Sequence, residues 1–112
     1  MGEFVKGDVV VLTFPFSDLS SSKRRPALVI AKASEQDLIL AQITSQSFYD
    51  MYAVGINVND FETGGLRISS NIRANKLFTA ENSIIIYKAG SLKPEKTNEA
   101  VNVIINLLSQ EN

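Results

Sequence analysis

Apolar residues gather along this chain in short blocks separated by polar or glycine-bearing stretches, which is the pattern of strands. The block DVVVLTF, Asp8 to Phe14, is β-branched, follows Gly7 and runs into Pro15, which cannot donate to a ladder. It predicts a first strand. PALVIAK, Pro26 to Lys32, is almost wholly apolar, as expected of a central strand covered on both faces. A turn at Ser34 to Gln36 and the block DLILAQIT, Asp37 to Thr44, complete a hairpin. Tyr52 to Val58, Ser69 to Ala74 and Ile84 to Tyr87 predict three further strands, with Leu77 to Ala80 between the last two. Asn59 to Gly65, with Asp60, Thr63 and the Gly64-Gly65 pair, reads as a turn. Five or six short strands at this spacing argue for a small antiparallel barrel.

The period changes near the C-terminus. From Pro94 to Gln110, residues Ala100, Val103, Ile104, Leu107 and Leu108 recur at the spacing of one helix face. Pro94 suits a first helical turn, and Glu95 complements the positive end of the dipole. This helix is expected to cover an end of the barrel, with a role in a dimer contact as the alternative. The fold class is therefore mainly β with a C-terminal helix, in one domain over residues 1–112.

Composition narrows the chemistry. The chain has 112 residues, 45% of them hydrophobic, enough for one core. Cysteine and histidine are both absent, which removes thiolate nucleophiles, thiolate metal sites and the usual general base together. No cofactor is called for. The N-terminal apolar run is too short to span a bilayer and lacks secretory flanks, so a cytoplasmic protein with no membrane partner is expected. Formal net charge is −1, yet Lys23, Arg24 and Arg25 are consecutive, and Arg67, Arg73 and Lys76 follow. A local basic groove is compatible with that sum.

Gly7-Asp8-Val9-Val10, Phe14-Pro15-Phe16, Lys23-Arg24-Arg25-Pro26-Ala27-Leu28-Val29-Ile30 and Gln42-Ile43-Thr44-Ser45 stand in this order along the chain. Together they resemble the MazF/PemK toxins. Ser70, Ile72, Leu77, Thr79 and the closing amphipathic helix continue the likeness over nearly the whole length. The resemblance implies an SH3-like barrel, a homodimer and sequence-specific cleavage of single-stranded RNA, held in check by a cognate antitoxin. It also implies catalytic roles for Arg25 and Thr44, and for Arg73 by similarity to a PemK-like branch. The sequence departs from that branch at Asn75, where an aspartate is expected, and in lacking a histidine in the first loop.

The residue chemistry is consistent with those roles. RNA carries its own nucleophile, so a ribonuclease needs chiefly to orient the 2′-OH and stabilise added charge on the phosphate. Arg25 offers planar paired donors, and the following proline biases it toward extended backbone. Thr44 can donate a hydroxyl to a phosphate oxygen or the 2′-OH, and Ser45 can do likewise. Arg73 would add a second charge clamp or a proton donor. Further RNA contacts are expected from the cations Lys23, Arg24 and Lys76 and from the polar Gln46 and Asn75. Phe16 and Tyr49 are placed to stack on bases.

Each assignment has a plainer competitor: a Lys-Arg-Arg run is often a solvated turn, Thr44 an ordinary β-former, Arg73 a surface cation and the aromatics core. Two other functions compete as well. One is a non-catalytic module of this barrel that binds RNA or protein, and the other a gyrase-directed toxin of the same fold. The RRPALVI block weighs against the latter.

Overall fold

The computed structural model describes residues 3–13, 23–45 and 51–111. The strands are β1 (Asp8–Thr13), β2 (Arg24–Lys32), β3 (Asp37–Thr44), β4 (Ala53–Ile56), β5 (Phe61–Gly64), β6 (Ser70–Glu81) and β7 (Ile85–Leu92). A helix, α1 (Pro94–Leu108), closes the chain, and short 3₁₀ turns occupy Val58–Asp60 and Asn82–Ile84. All strands join one antiparallel, curled sheet in the order β4-β6-β3-β2-β1-β7-β5.

β2 sits at the middle of that order, and its alternation explains its unbroken apolar sequence. Leu28 and Ile30 face one cluster with Val9, Ile43, Ile72, Ala100 and Ile104, whereas Ala27 and Val29 face another with Val10, Leu12, Leu38 and Leu40. Period-two geometry sends successive residues to opposite faces, so a strand covered on both has no polar side to show. The β2–β3 hairpin forms as expected. Ser34 Oγ accepts from the backbone N–H groups of Gln36 and Asp37 at its turn, at 3.3 and 3.1 Å.

β2 begins at Arg24 rather than Pro26, and the strand expected over Tyr52 to Val58 is confined to Ala53–Ile56, with Val58 in a 3₁₀ turn. Three further elements differ more widely from the sequence expectation. Asn59 to Gly65 is not a simple turn, because Phe61 is buried opposite Leu92 and draws a short edge strand, β5, onto β7. Gly64 in β5 has φ +65°, and a side chain there would run into the Ala89 carbonyl. β7 extends past Tyr87 to Leu92 because β1 and β5 pair with it on both sides. β6 is continuous through Asn75 and Lys76, but its register on β3 jumps there: Ile43 faces Ile72 while Ala41 faces Leu77. Arg73 to Lys76 thus stand against Gln42 alone. That polar bulge is the break seen in the sequence.

The helix lays Thr97, Ala100 and Ile104 onto the first cluster, with Val103 packed beside them. Leu108 is 70% exposed, which corrects its place in the predicted apolar stripe: the helix end runs past the sheet it covers. Pro94 and Glu95 occupy the first turn as expected. Among the described residues no helix is long and apolar enough to cross a membrane.

The Gly7-Asp8 pair anchors the entry to β1. Gly7 has φ +100° and bonds backbone to backbone with Val29 and Leu92, while the buried Asp8 carboxylate accepts from Val5 N at 2.9 Å and Ser91 Oγ at 2.8 Å. Positive φ strains any residue with a Cβ. This motif therefore locks β1 between β2 and β7, and through β1 it fixes the start of β2.

Candidate active site

Arg24 and Arg25 open β2 opposite Thr13 and Leu12 of β1. The proline at 26, across from Val11, holds the backbone extended at that point. On the other side β2 pairs with β3 at Ala27–Gln42, and continuing that register by two residues sets Arg25 across from Thr44. Thr44 in turn faces Asn71 of β6, and Asn71 faces Gly55 of β4. Arg25, Thr44, Asn71 and Gly55 thus form a row of positions across four strands, with Arg25 and Thr44 adjacent.

The loop between β5 and β6 folds over the end of this row. Buried Ser70 donates its hydroxyl to the Ile68 carbonyl at 2.8 Å, which ties the loop to the sheet. Between the loop and the strand ends lies a cleft of about 410 Å³, walled by Lys23 to Pro26, Ile43 to Ser45, Leu66 to Ile68 and Ser70. Four cations line it, Lys23, Arg24, Arg25 and Arg67, and among the described residues no carboxylate does. A chain of net charge −1 thus concentrates positive charge in one hollow, where it attracts an anion at short range. Guanidinium groups beside a hydroxyl on half-buried strand ends can grip phosphate oxygens.

The cleft brings together Arg25, Thr44, Lys23, Arg24 and Ser45 of the residues expected from the sequence. Arg73, Asn75 and Lys76 do not line it. Arg73 lies two residues beyond Asn71 on the same face of β6, opposite Ala53, and Asn75 and Lys76 are exposed in the bulge that follows. Phe16, Gln46 and Tyr49 lie outside the described residues, as do Phe14 and Phe48. Tyr52 is a packing residue, set against the core with its hydroxyl 3.2 Å from Gln110 Nε2. The sequence marks Arg67 as one cation of a possible basic groove and Ser70 as part of the family likeness, but it gives neither a place in the site, which both line. A cation two residues after the Gly64-Gly65 pair was the available signal, since such a turn presents the following loop to one side of the sheet. Among the described residues no group of three or more His, Cys, Asp or Glu side chains converges as a metal site would require.

This fold recurs among solved structures. MazF from Deinococcus radiodurans (Form-I) matches with TM-score 0.78 at 19% identity, covering 98% of this chain and all of that one. An endoribonuclease in complex with its cognate antitoxin, from a mycobacterial species, matches with TM-score 0.77 at 12% identity, covering 98% and 99%. The MazE–MazF complex (Form-II) of Deinococcus radiodurans matches with TM-score 0.75 at 16% identity, covering 99% and 100%. At these identities the likeness is one of fold. No curated protein matches the chain in sequence. The model of the PemK-like, MazF-like toxins of type II toxin-antitoxin systems matches residues 5–108, and the chain belongs to that family.

Proposed function

We propose that this chain is a sequence-specific endoribonuclease toxin that cleaves single-stranded RNA in the cleft between β2, β3 and the β5–β6 loop. The observation that carries the reading is the convergence of Arg25 and Thr44 in a hollow with three more cations and no carboxylate among its described walls. Scissile phosphate is the ligand such a hollow suits. The RNA 2′-oxygen bonds to phosphorus, the P–O5′ bond breaks, one proton leaves O2′ and another is delivered to O5′. Products carry a 2′,3′-cyclic phosphate and a 5′-OH.

In this scheme Arg25 donates paired hydrogen bonds to the non-bridging oxygens, where charge grows as the fifth bond forms. Thr44 donates its hydroxyl to the same phosphate or orients the 2′-OH, and Ser45 at the strand end assists. Lys23, Arg24 and Arg67 hold neighbouring phosphates, and Arg73 extends the positive charge along β6. The reaction needs no metal, because the nucleophile belongs to the substrate and the guanidinium groups supply the charge stabilisation.

The toxin works in the cytoplasm as a homodimer restrained by a cognate antitoxin. Two of the similar structures are an endoribonuclease in complex with its cognate antitoxin and a MazE–MazF complex. Exposed Ile84, which ends the 3₁₀ turn before β7, and exposed Ile86 and Tyr87 in β7 offer an apolar contact surface.

The test is incubation of the purified chain with a long single-stranded RNA in chelator, followed by mapping of cut sites and end groups. Discrete cuts with 5′-OH ends support the proposal. Cutting that appears only on addition of Mg²⁺, or 5′-phosphate ends, contradicts the chemistry, and no cutting at all favours a binding module.

A further inference from the structure

Of the cations lining the cleft, Arg24 and Arg25 stand on β2, whereas Arg67 stands on the loop between β5 and β6. A side chain on a loop must be ordered before it can grip a ligand, so its contribution to binding depends on how firmly the loop is held. Three contacts hold this one. At its start the Gly65 N–H donates to the Ala89 carbonyl of β7 at 3.1 Å. Next to Arg67, Leu66 packs against the core cluster beneath the helix. At its end the Ser70 hydroxyl donates to the Ile68 carbonyl at 2.8 Å, while Ser70 itself is fixed in β6 opposite Ile56. Both neighbours of Arg67 are thus restrained.

The first of these contacts depends on two backbones crossing closer than side chains allow. Gly64 of β5 faces Gly90 of β7, and Gly90 faces Val9 of β1 on its other side. A Cβ on Gly90 would lie 2.5 Å from the Thr63 carbonyl oxygen, 2.8 Å from Gly65 N and 3.0 Å from the Gly64 carbonyl carbon. Those distances fall well inside the roughly 3.5 Å at which such atoms rest. All three partners are backbone atoms of the segment that leads into the loop, so none can swing aside as the end of a side chain can. Among the described residues only Gly7 and Gly64 have positive φ, so the backbone of Gly90 suits alanine and only the crossing forbids it.

We infer that Gly90 is a positioning residue for the phosphate cleft: it lets β5 close onto β7, and this closure, together with the Ser70 bond, sets Arg67 in place before RNA arrives. The inference rests on the ribonuclease reading above. Gly90 is buried and does not line the cleft, so it acts through Arg67. Arg25 and Thr44 belong to β2 and β3, whose pairing the crossing does not touch. Loss of the clamp therefore falls on binding of the substrate rather than on the chemical step.

The test is a double-mutant cycle on the full chain, with wild type, Gly90→Ala, Arg67→Gln and the double variant. Affinity for an uncuttable 2′-O-methyl RNA is measured in chelator, along with KM and kcat on the matching cuttable RNA. Each single variant is expected to weaken binding by about tenfold, the usual contribution of one charge-assisted hydrogen bond, with the loss in KM rather than in kcat. The double variant should bind no worse than either single one, because both changes remove the same contact. Ser70→Ala, which deletes a hydroxyl without pressing on β5, runs the same cycle and decides the matter if Gly90→Ala does not fold. Losses that multiply in the double variants overturn the inference, since the residues would then act independently of Arg67. Wild-type affinity in Ser70→Ala or in folded Gly90→Ala overturns it too. In those cases wild type still cuts RNA and the ribonuclease reading stands, whereas wild type that cuts no RNA removes that reading and the positioning role with it.

Discussion

Arg67 lines the cleft and belongs to none of the motif blocks shared with the toxin family, so its replacement by glutamine tests the site independently of family likeness. Four cations line the cleft, and single-stranded nucleic acid releases counterions such that log K falls with log salt by roughly 0.7 per neutralised phosphate. If all four engage, the slope is about −2.8, and affinity falls about fiftyfold between roughly 50 and 200 mM salt. Arg67→Gln reduces the slope to about −2.1 and the fall to about twentyfold. The assay is fluorescence anisotropy with a 2′-O-methyl RNA, which cannot be cut, titrated at several salt concentrations in chelator. Lys32→Gln serves as the control, because Lys32 lies at the far end of β2 and pairs with Glu3 at 3.4 Å. A wild-type slope shallower than about −1, or one that Lys32→Gln lowers as much as Arg67→Gln does, would refute the placement of RNA phosphates in this cleft.

Arg25→Ala should lower the cleavage rate by about 10²- to 10³-fold, the usual cost of removing one donor to a developing charge, while binding of uncuttable RNA weakens far less. Arg25→Lys should recover only part of that rate, since a single ammonium cannot reproduce the planar fork; single-turnover kinetics distinguish the three proteins. With no histidine in the chain, the rate should show no bell-shaped limb near pH ~6.5, and a clear bell centred there would require a group this sequence does not have. Leu28 is fully buried in the cluster beneath the helix, so Leu28→Ala should destabilise the fold by about 2–5 kcal/mol, measured by denaturant titration.

Legibility in the sequence followed the range of the interactions involved. β1, β2 and β3 declare themselves because their apolar runs answer to local burial, and the β2–β3 turn carries its own side-chain bonds. β5 does not, because three of its residues, Glu62, Thr63 and Gly64, are exposed and polar or small, and only pairing with β7 makes the segment a strand. The latter half of β7 has the same cause. β6 was legible as two pieces, since the bulge at Asn75 and Lys76 interrupts its alternation without ending its pairing. In the site, Arg25 is marked by the proline after it, whereas Thr44 looks like any strand end until its register against β2 is known. Arg67 reaches the cleft through a loop that Ser70 ties down, a contact with no signature in the linear pattern.

The most direct test of the proposed chemistry replaces a single 2′-OH. An RNA carrying one mapped cut site is compared, in chelator, with the same RNA bearing a 2′-deoxyribose immediately 5′ to the scissile phosphate. The expected result is that cleavage at that site disappears while binding is retained, because the substrate's own hydroxyl is the attacking group. Continued cleavage of the deoxy-substituted RNA at that phosphate would mean that water or a protein side chain attacks instead, and the roles given to Arg25 and Thr44 would have to be abandoned.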